Sequence, residues 1–135
     1  MDIVSALFVE SFNMRPAPGP STRIDITGAF FSMAAPSPAP VTIEPHLLVL
    51  IRCRADEPGQ GVLEVVFRRA AAGGGEATEI ARNVSPFTVD PGKFTYRLVR
   101  GELQFDEYGL VEAHCRIGSD GAVLVVPLTL LPPAT

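Results

Sequence analysis

The chain has 135 residues, 47% of them apolar and 19% charged, a length and balance that suit one soluble domain with its own core and exclude disorder over most of the chain. Its net charge of −4 and scattered basic residues exclude the basic footprint that a nucleic acid needs. Arg52, Arg54 and Pro127 interrupt the longest apolar runs, so no stretch offers the ~20 apolar residues of a membrane helix.

Met1 and Asp2 lead straight into an alternating segment, without a basic n-region or a small-residue cleavage site. A cytoplasmic protein is expected. Among the 11 basic residues Lys93 alone is lysine, and Ala, Gly and Pro are abundant, as GC-rich bacterial codon usage produces.

Period-two alternation recurs along the chain and helical spacing does not, so the predicted class is all-β. The first strand is predicted over Asp2 to Phe12, with Ile3, Ser5, Leu7 and Val9 on one face and Val4, Ala6, Phe8 and Glu10 on the other. Arg15 to Pro20 reads as a surface loop, because its prolines lack the ladder donor. A second strand, Thr22 to Met33, is predicted to pair with the first, with Gly28 as a bulge or a point of close approach. Ala34 to Pro40 carries proline at every second position and reads as an extended connection between sheets.

Leu47, Val49, Ile51 and Cys53 form one face of a third strand, and Leu63, Val65 and Phe67 form a matching face beyond the turn at Asp56 to Gly59. These two strands are predicted to make a hairpin, with Arg54 opposite Val62 and Arg52 opposite Glu64. Ala70 to Gly75 reads as a flexible loop, followed by a weaker strand at Thr78 to Val84 and a short extended piece at Pro86 to Val89. Lys93 to Phe105 is predicted as a central strand in which Gly101 bulges to return Leu103 and Phe105 to the core.

The last two strands, Leu110 to Ile117 and Ala122 to Leu131, are predicted to join at Asp120-Gly121 in a two-residue turn. That turn sets Cys115 opposite Val126, Ala113 opposite Leu128 and Ile117 opposite Leu124, with Glu112, His114 and Arg116 outward. Pro127 implies an outer or bulged position. Seven to eight strands at this spacing predict a two-layer antiparallel β-sandwich spanning residues 1–135 as one domain.

The segments Asp2 to Phe12 and Arg23 to Phe31, with the closing hairpin from Phe105-Asp-Glu-Tyr-Gly109 to Leu131, resemble an uncharacterised bacterial family, a domain of unknown function whose short members are immunoglobulin-like. The resemblance implies a fold and no activity, since strand patterns and turn positions carry it. The chain departs from the pattern in its Pro-rich insert before Val41 and its glycines at Gly73 to Gly75.

Cys53 and Cys115 fall on inward faces of separate strands, where an intersheet disulfide would sit. Without an export signal, buried free thiols are the favoured reading. His46 and His114 have no neighbours at metal-ligand spacing, so neither metal nor cofactor is expected. Asp106 and Glu107, with Glu102, read as a solvated corner rather than an acid pair. Ser5, Ser11, Ser32 and Ser85 lack a nucleophile elbow, and Gly73 to Gly75 lacks the lysine and helix of a phosphate loop.

The informative oddity is an outward apolar row, Leu48 and Leu50 leading to Arg52 and Arg54, beside outward Val62 and Val66. Burial of each large side chain contributes on the order of 1.5 to 3 kcal/mol, supplied either by the Pro-rich segment or by a partner. The expected function is a non-enzymatic protein-interaction or structural module, binding a protein partner or a second copy through Leu48, Leu50, Arg52 and Val66 or through an edge near Pro127. The alternative is a small-ligand or enzymatic site among the loops Pro16 to Pro20, Pro36 to Pro40 and Gly73 to Gly75.

Overall fold

A computed structural model describes residues 1–19, 21–70 and 76–134. The described residues form strands without a helix: β1 (Asp2–Ala17), β2 (Ser21–Phe30), β3 (Ser32–Ala34), β4 (Val41–Ile43), β5 (His46–Arg52), β6 (Gln60–Arg69), β7 (Thr78–Thr88), β8 (Phe94–Arg100), β9 (Leu103–Phe105), β10 (Gly109–Ile117) and β11 (Leu124–Leu131). The all-β class expected from alternation is present. Eleven strands among the described residues replace the expected seven to eight, three of them being the three-residue pieces β3, β4 and β9.

One sheet has the order β2-β1-β5-β8 and a second β3-β11-β10-β6-β7, while β4 and β9 pair by themselves. Pairing is antiparallel except for β3, which runs parallel to β11. Alternation drives one face of most strands, β2 excepted, into a common cluster that includes Phe8, Leu47, Val49 and Ile51 of the first sheet and Leu63, Val65, Phe67, Ala113, Cys115 and Leu128 of the second. No polar or charged residue is buried as a whole among the described residues, although the single atoms Arg97 Nε and His114 Nε2 are buried without a hydrogen bond.

The predicted hairpin between β5 and β6 does not form, because the two strands belong to different sheets. Arg52 stands opposite Asp2 and Phe94, and Glu64 opposite Arg116 and Val84. The turn signal at Asp56 to Gly59 is genuine, but the chain uses it to cross. Cys53 N donates to Lys93 O at 2.9 Å and Val89 N donates to Gly59 O at 2.7 Å, which ties the crossing to the residues flanking β8. Gly59 lies so close to the Val89 carbonyl that a Cβ has no room.

Three other expectations are corrected. Strand β1 runs on through Pro16 and Ala17, opposite Thr22 and Ser21. Pairing with β5 stops at Val9, so the missing proline donor at position 16 has no second neighbour to disappoint. Lys93 to Phe105 is not a central strand: β8 lies at a sheet edge, and the chain breaks at Gly101 before β9 joins β4. A Cβ at Gly101 would stand 2.8 Å from Phe67 Cζ, so this glycine admits a ring rather than making a bulge. Leu103 and Phe105 are nevertheless fully buried, as expected.

The last hairpin pairs Cys115 with Leu124, Ala113 with Val126 and Val111 with Leu128, a slip of two from the predicted register. The turn is longer than Asp120-Gly121, with Gly118 at φ 70°. An even slip leaves each side chain on its expected face. Thr129 N donates to Phe31 O at 2.9 Å, so by alternation the nitrogen of Pro127 also faces the β3 side. Strand β3 pairs only with Thr129 to Leu131, and the missing donor of Pro127 meets an open edge.

Candidate functional site

The four residues expected to form one surface lie on two. Leu48, Leu50 and Arg52 alternate with the core row of β5 and so occupy the outer face of the first sheet, whereas Val66 lies on the outer face of the second. Leu48 is 2% exposed and Val66 5%, and Leu50 is half-buried. Arg52 is exposed and donates from Nη2 to Asp2 Oδ2 at 2.8 Å, with Arg54 Nη2 on the same oxygen at 3.4 Å. These guanidiniums, Arg52 foremost, hold the Asp2 carboxyl below its ordinary value.

Intramolecular cover buries Leu48, though not from the Pro-rich segment, whose Ala39 N donates to the Tyr108 hydroxyl at 2.9 Å. Tyr96 stands level with Leu50, which stands level with Ser5 on β1. Phe12 lies seven positions beyond Ser5, ~20 Å farther along a straight strand. The rings of Phe12 and Tyr96 are nevertheless 5.4 Å apart, so the distal β1–β2 hairpin curls back over the outer face of its own sheet. Gly28, at φ 65°, stands where a Cβ would lie 2.7 Å from Glu10 Cγ, so the curl occurs at a close approach. This fulfils the close-approach expectation for Gly28.

The outer face of the second sheet is a polar lattice with apolar flanks. Glu64 accepts from Arg82 Nη1 at 2.9 Å and from Arg116 Nε at 3.0 Å, and Arg82 Nη2 also donates to Glu79 Oε1 at 2.7 Å. Arg82 holds the Glu79 carboxyl below its ordinary value. Val66 faces His114 on one side and Arg82 on the other, whose stems cover it. His114 Nε2 is buried without a hydrogen bond and stands 3.5 Å from Glu112 Oε1. Val62, Val84, Val123 and Val125 remain exposed.

The other residues singled out in the sequence stay apart. His46 opens β5, remote from His114 in the second sheet. Asp106, Glu107 and Glu102 are exposed. Cys53 and Cys115 are buried free thiols, and burial pushes the Cys115 thiol up to about 12. Of the alternative loop site, Pro20 and Gly73 to Gly75 lie outside the described residues, Pro16 is in β1, and Pro36 to Pro40 lead into β4. No group of three His, Cys, Asp or Glu side chains could hold a metal among the described residues. No helix is long and apolar enough to cross a membrane. An open recess of about 580 Å³ runs between the β7 and β8 edges, where Arg97 Nη2 donates to Pro86 O at 2.8 Å.

No family model matches the chain, and no curated protein matches it. Solved structures of a beta-glucosidase from Listeria innocua are similar in fold. The complexes with glucose, gluconolactone and isofagomine superpose with TM-scores of 0.53, 0.54 and 0.54 at 10% identity, covering 93% of this chain. The chain spans 16% of the length of those proteins. The likeness concerns the fold alone.

Sequence reasoning missed the edge of β2. All its residues but Ile24 and Phe30 are exposed, and it is the terminal strand of its sheet. The available signal was Ser21 to Phe30 itself, an uninterrupted β-forming run without proline beside a second such run.

Proposed function

We propose that this chain is an immunoglobulin-like two-layer β-sandwich that serves as a non-enzymatic protein-interaction or structural module, working through a sheet edge. Support for the fold comes from strand order. Strands β1, β5 and β8 are neighbours in one sheet, and β6, β10 and β11 in the other, the partition of A, B, E and C, F, G in immunoglobulin domains. Strand β2 is then an added strand outside A.

The observation that carries the functional reading is the exposed edge of β2. Its outward N–H and C=O groups are a template for strand addition, in which main-chain hydrogen bonds supply affinity. The face first expected to bind is covered by the protein's own hairpin, so the working surface moves from Leu48 and Leu50 to the strand that covers them.

A photoreactive amino acid placed at Thr27 on β2, and in a control at Arg100 on β8, tests this in the protein's own cells. Crosslinks to protein from position 27 that are absent from position 100 are expected. Equal or absent crosslinking at both positions overturns the reading.

A further inference from the structure

We propose that β2 pairs antiparallel with β2 of a second copy of this chain, about a twofold axis at Ile24, joining two four-stranded sheets into one. The inference rests on the edge reading above and adds the identity of the occupant.

Among the described residues four strands end the two larger sheets, and three are guarded. Strand β3 has three residues, β7 carries Pro86 and a register shift opposite Phe67 and Arg68, and β8 carries the like charges Arg97 and Arg100, where β2 carries the unlike pair Arg23 and Asp25. Short length, proline, irregularity and charge are the devices that blunt an edge. Strand β2 has ten residues and no proline. Its regular stretch runs from Ser21 to Thr27, because Gly28 at φ 65° breaks the extended backbone.

Ile24 is the midpoint of that stretch. A twofold axis there sets Ser21 opposite Thr27, Thr22 opposite Ile26 and Arg23 opposite Asp25 of the second copy, so every regular residue gains a neighbour. Facing residues in an antiparallel pair share a side of the sheet, which restricts the axis to a residue position. Centring it on Arg23 opposes two arginines, and centring it on Asp25 opposes two aspartates. Centring it on Ile24 pairs unlike charges twice.

The side chains are in a state to do so. Among the described residues Arg23 has no carboxylate partner, and its Nη1 reaches only the Thr22 carbonyl, at 3.5 Å. Asp25 accepts from Arg15 Nε on Oδ2 at 2.6 Å, which leaves acceptor capacity on Oδ1. On the opposite side of the sheet, Ile24 meets its own copy, and Ile26, 40% exposed, gains cover. The contact is isologous and closes on itself, so it yields a dimer rather than a fibre.

Charge-swap variants read by sedimentation equilibrium test the register. The wild-type chain is expected to dimerise, and Arg23→Asp and Asp25→Arg each to weaken self-association about tenfold or more. A 1:1 mixture of these two variants is expected to recover a mixed dimer, and the chain carrying both swaps to dimerise as wild type does. Both positions are exposed, and unchanged urea unfolding of the dilute variants verifies the fold. A wild-type chain monomeric at concentrations on the order of 1 mM, single variants that dimerise unimpaired, or a mixture that stays monomeric each overturn the proposal. Crosslinking in cells separates its failure from that of the edge reading: foreign partners captured at Thr27 by a monomeric chain sink the second copy and spare the edge, while no capture sinks both.

Discussion

Phe12 and Tyr96 meet edge to face, their ring centroids 5.4 Å apart and their planes inclined by 63°, and this contact joins the distal arm of the β1–β2 hairpin to the far edge strand of its own sheet. Edge-to-face pairs contribute about 0.5–1.5 kcal/mol beyond area burial. A double-mutant cycle on Phe12→Ala and Tyr96→Ala, read by urea unfolding, is expected to return a coupling in that range. Strict additivity would mean that the hairpin tip does not rest there.

Gly101 has a packing role that Ala can test. Its substitution would drive a Cβ to 2.8 Å from Phe67 Cζ and 2.9 Å from Cε2, and overpacking of this kind costs about 1–3 kcal/mol. Gly101→Ala is expected to lower the denaturation midpoint accordingly. The same change in a Phe67→Leu background is expected to cost less, because the obstructing ring is gone.

Acid weakens the surface carboxylate pairs in a known direction. Hydrogen bonds from Arg52 hold Asp2 below its ordinary 3.8, and those from Arg82 hold Glu79 below 4.5. A depressed folded value makes a stabilising contribution that is complete above the unfolded value and is lost as pH falls through the folded one. Asp2→Asn with Glu79→Gln is therefore expected to lower stability modestly near pH 6, these pairs being exposed. Its offset from wild type is expected to shrink progressively as pH falls below these ordinary values; an offset that stays constant down to acid unfolding would contradict the sign.

Both thiols are buried, Cys53 at 1% exposure and Cys115 at 0%. The thiolate is the reactive species, and burial pushes Cys115 to about 12. Neither thiol is expected to react with an aromatic disulfide reagent at pH 8 in the folded protein, and both are expected to react promptly in denaturant. Rapid labelling without denaturant would place a cysteine at the surface.

The inside of this protein was readable from alternation, and its connectivity was not. Leu47, Val49 and Ile51, Leu63, Val65 and Phe67, and Leu103 and Phe105 all lie in the core as their spacing required, because a period of two fixes a face whichever strand lies alongside. The same property hid the error at Asp56 to Gly59. A strand that returns in its own sheet and one that crosses to the other present identical patterns, and a turn signal marks a bend without its direction. The register of β10 against β11 failed by two for the related reason that Gly118 and Gly121 are both turn residues.

The candidate surface shows the same division. That Leu48 and Leu50 need cover followed from hydrophobicity, and the chain supplies it. That the cover is the distal hairpin depends on the approach of Gly28 to Glu10 and on Phe12 reaching Tyr96, contacts between residues far apart along the chain. The slender signal of an unguarded run from Ser21 to Thr27 was present, but a run reads as an edge only when the neighbouring strands have been placed.

The central position of β10 between β11 and β6 bears on how the chain comes to be made. During synthesis the hairpins β1–β2 and β6–β7 can close early, since their strands are consecutive. The edge of β6 that faces away from β7 stays unpaired until the residues from Gly109 to Ile117 leave the ribosome. A chain cut short before β10 is then a client for chaperones and proteases, because β6 lacks the strand that joins it to β11 in one sheet.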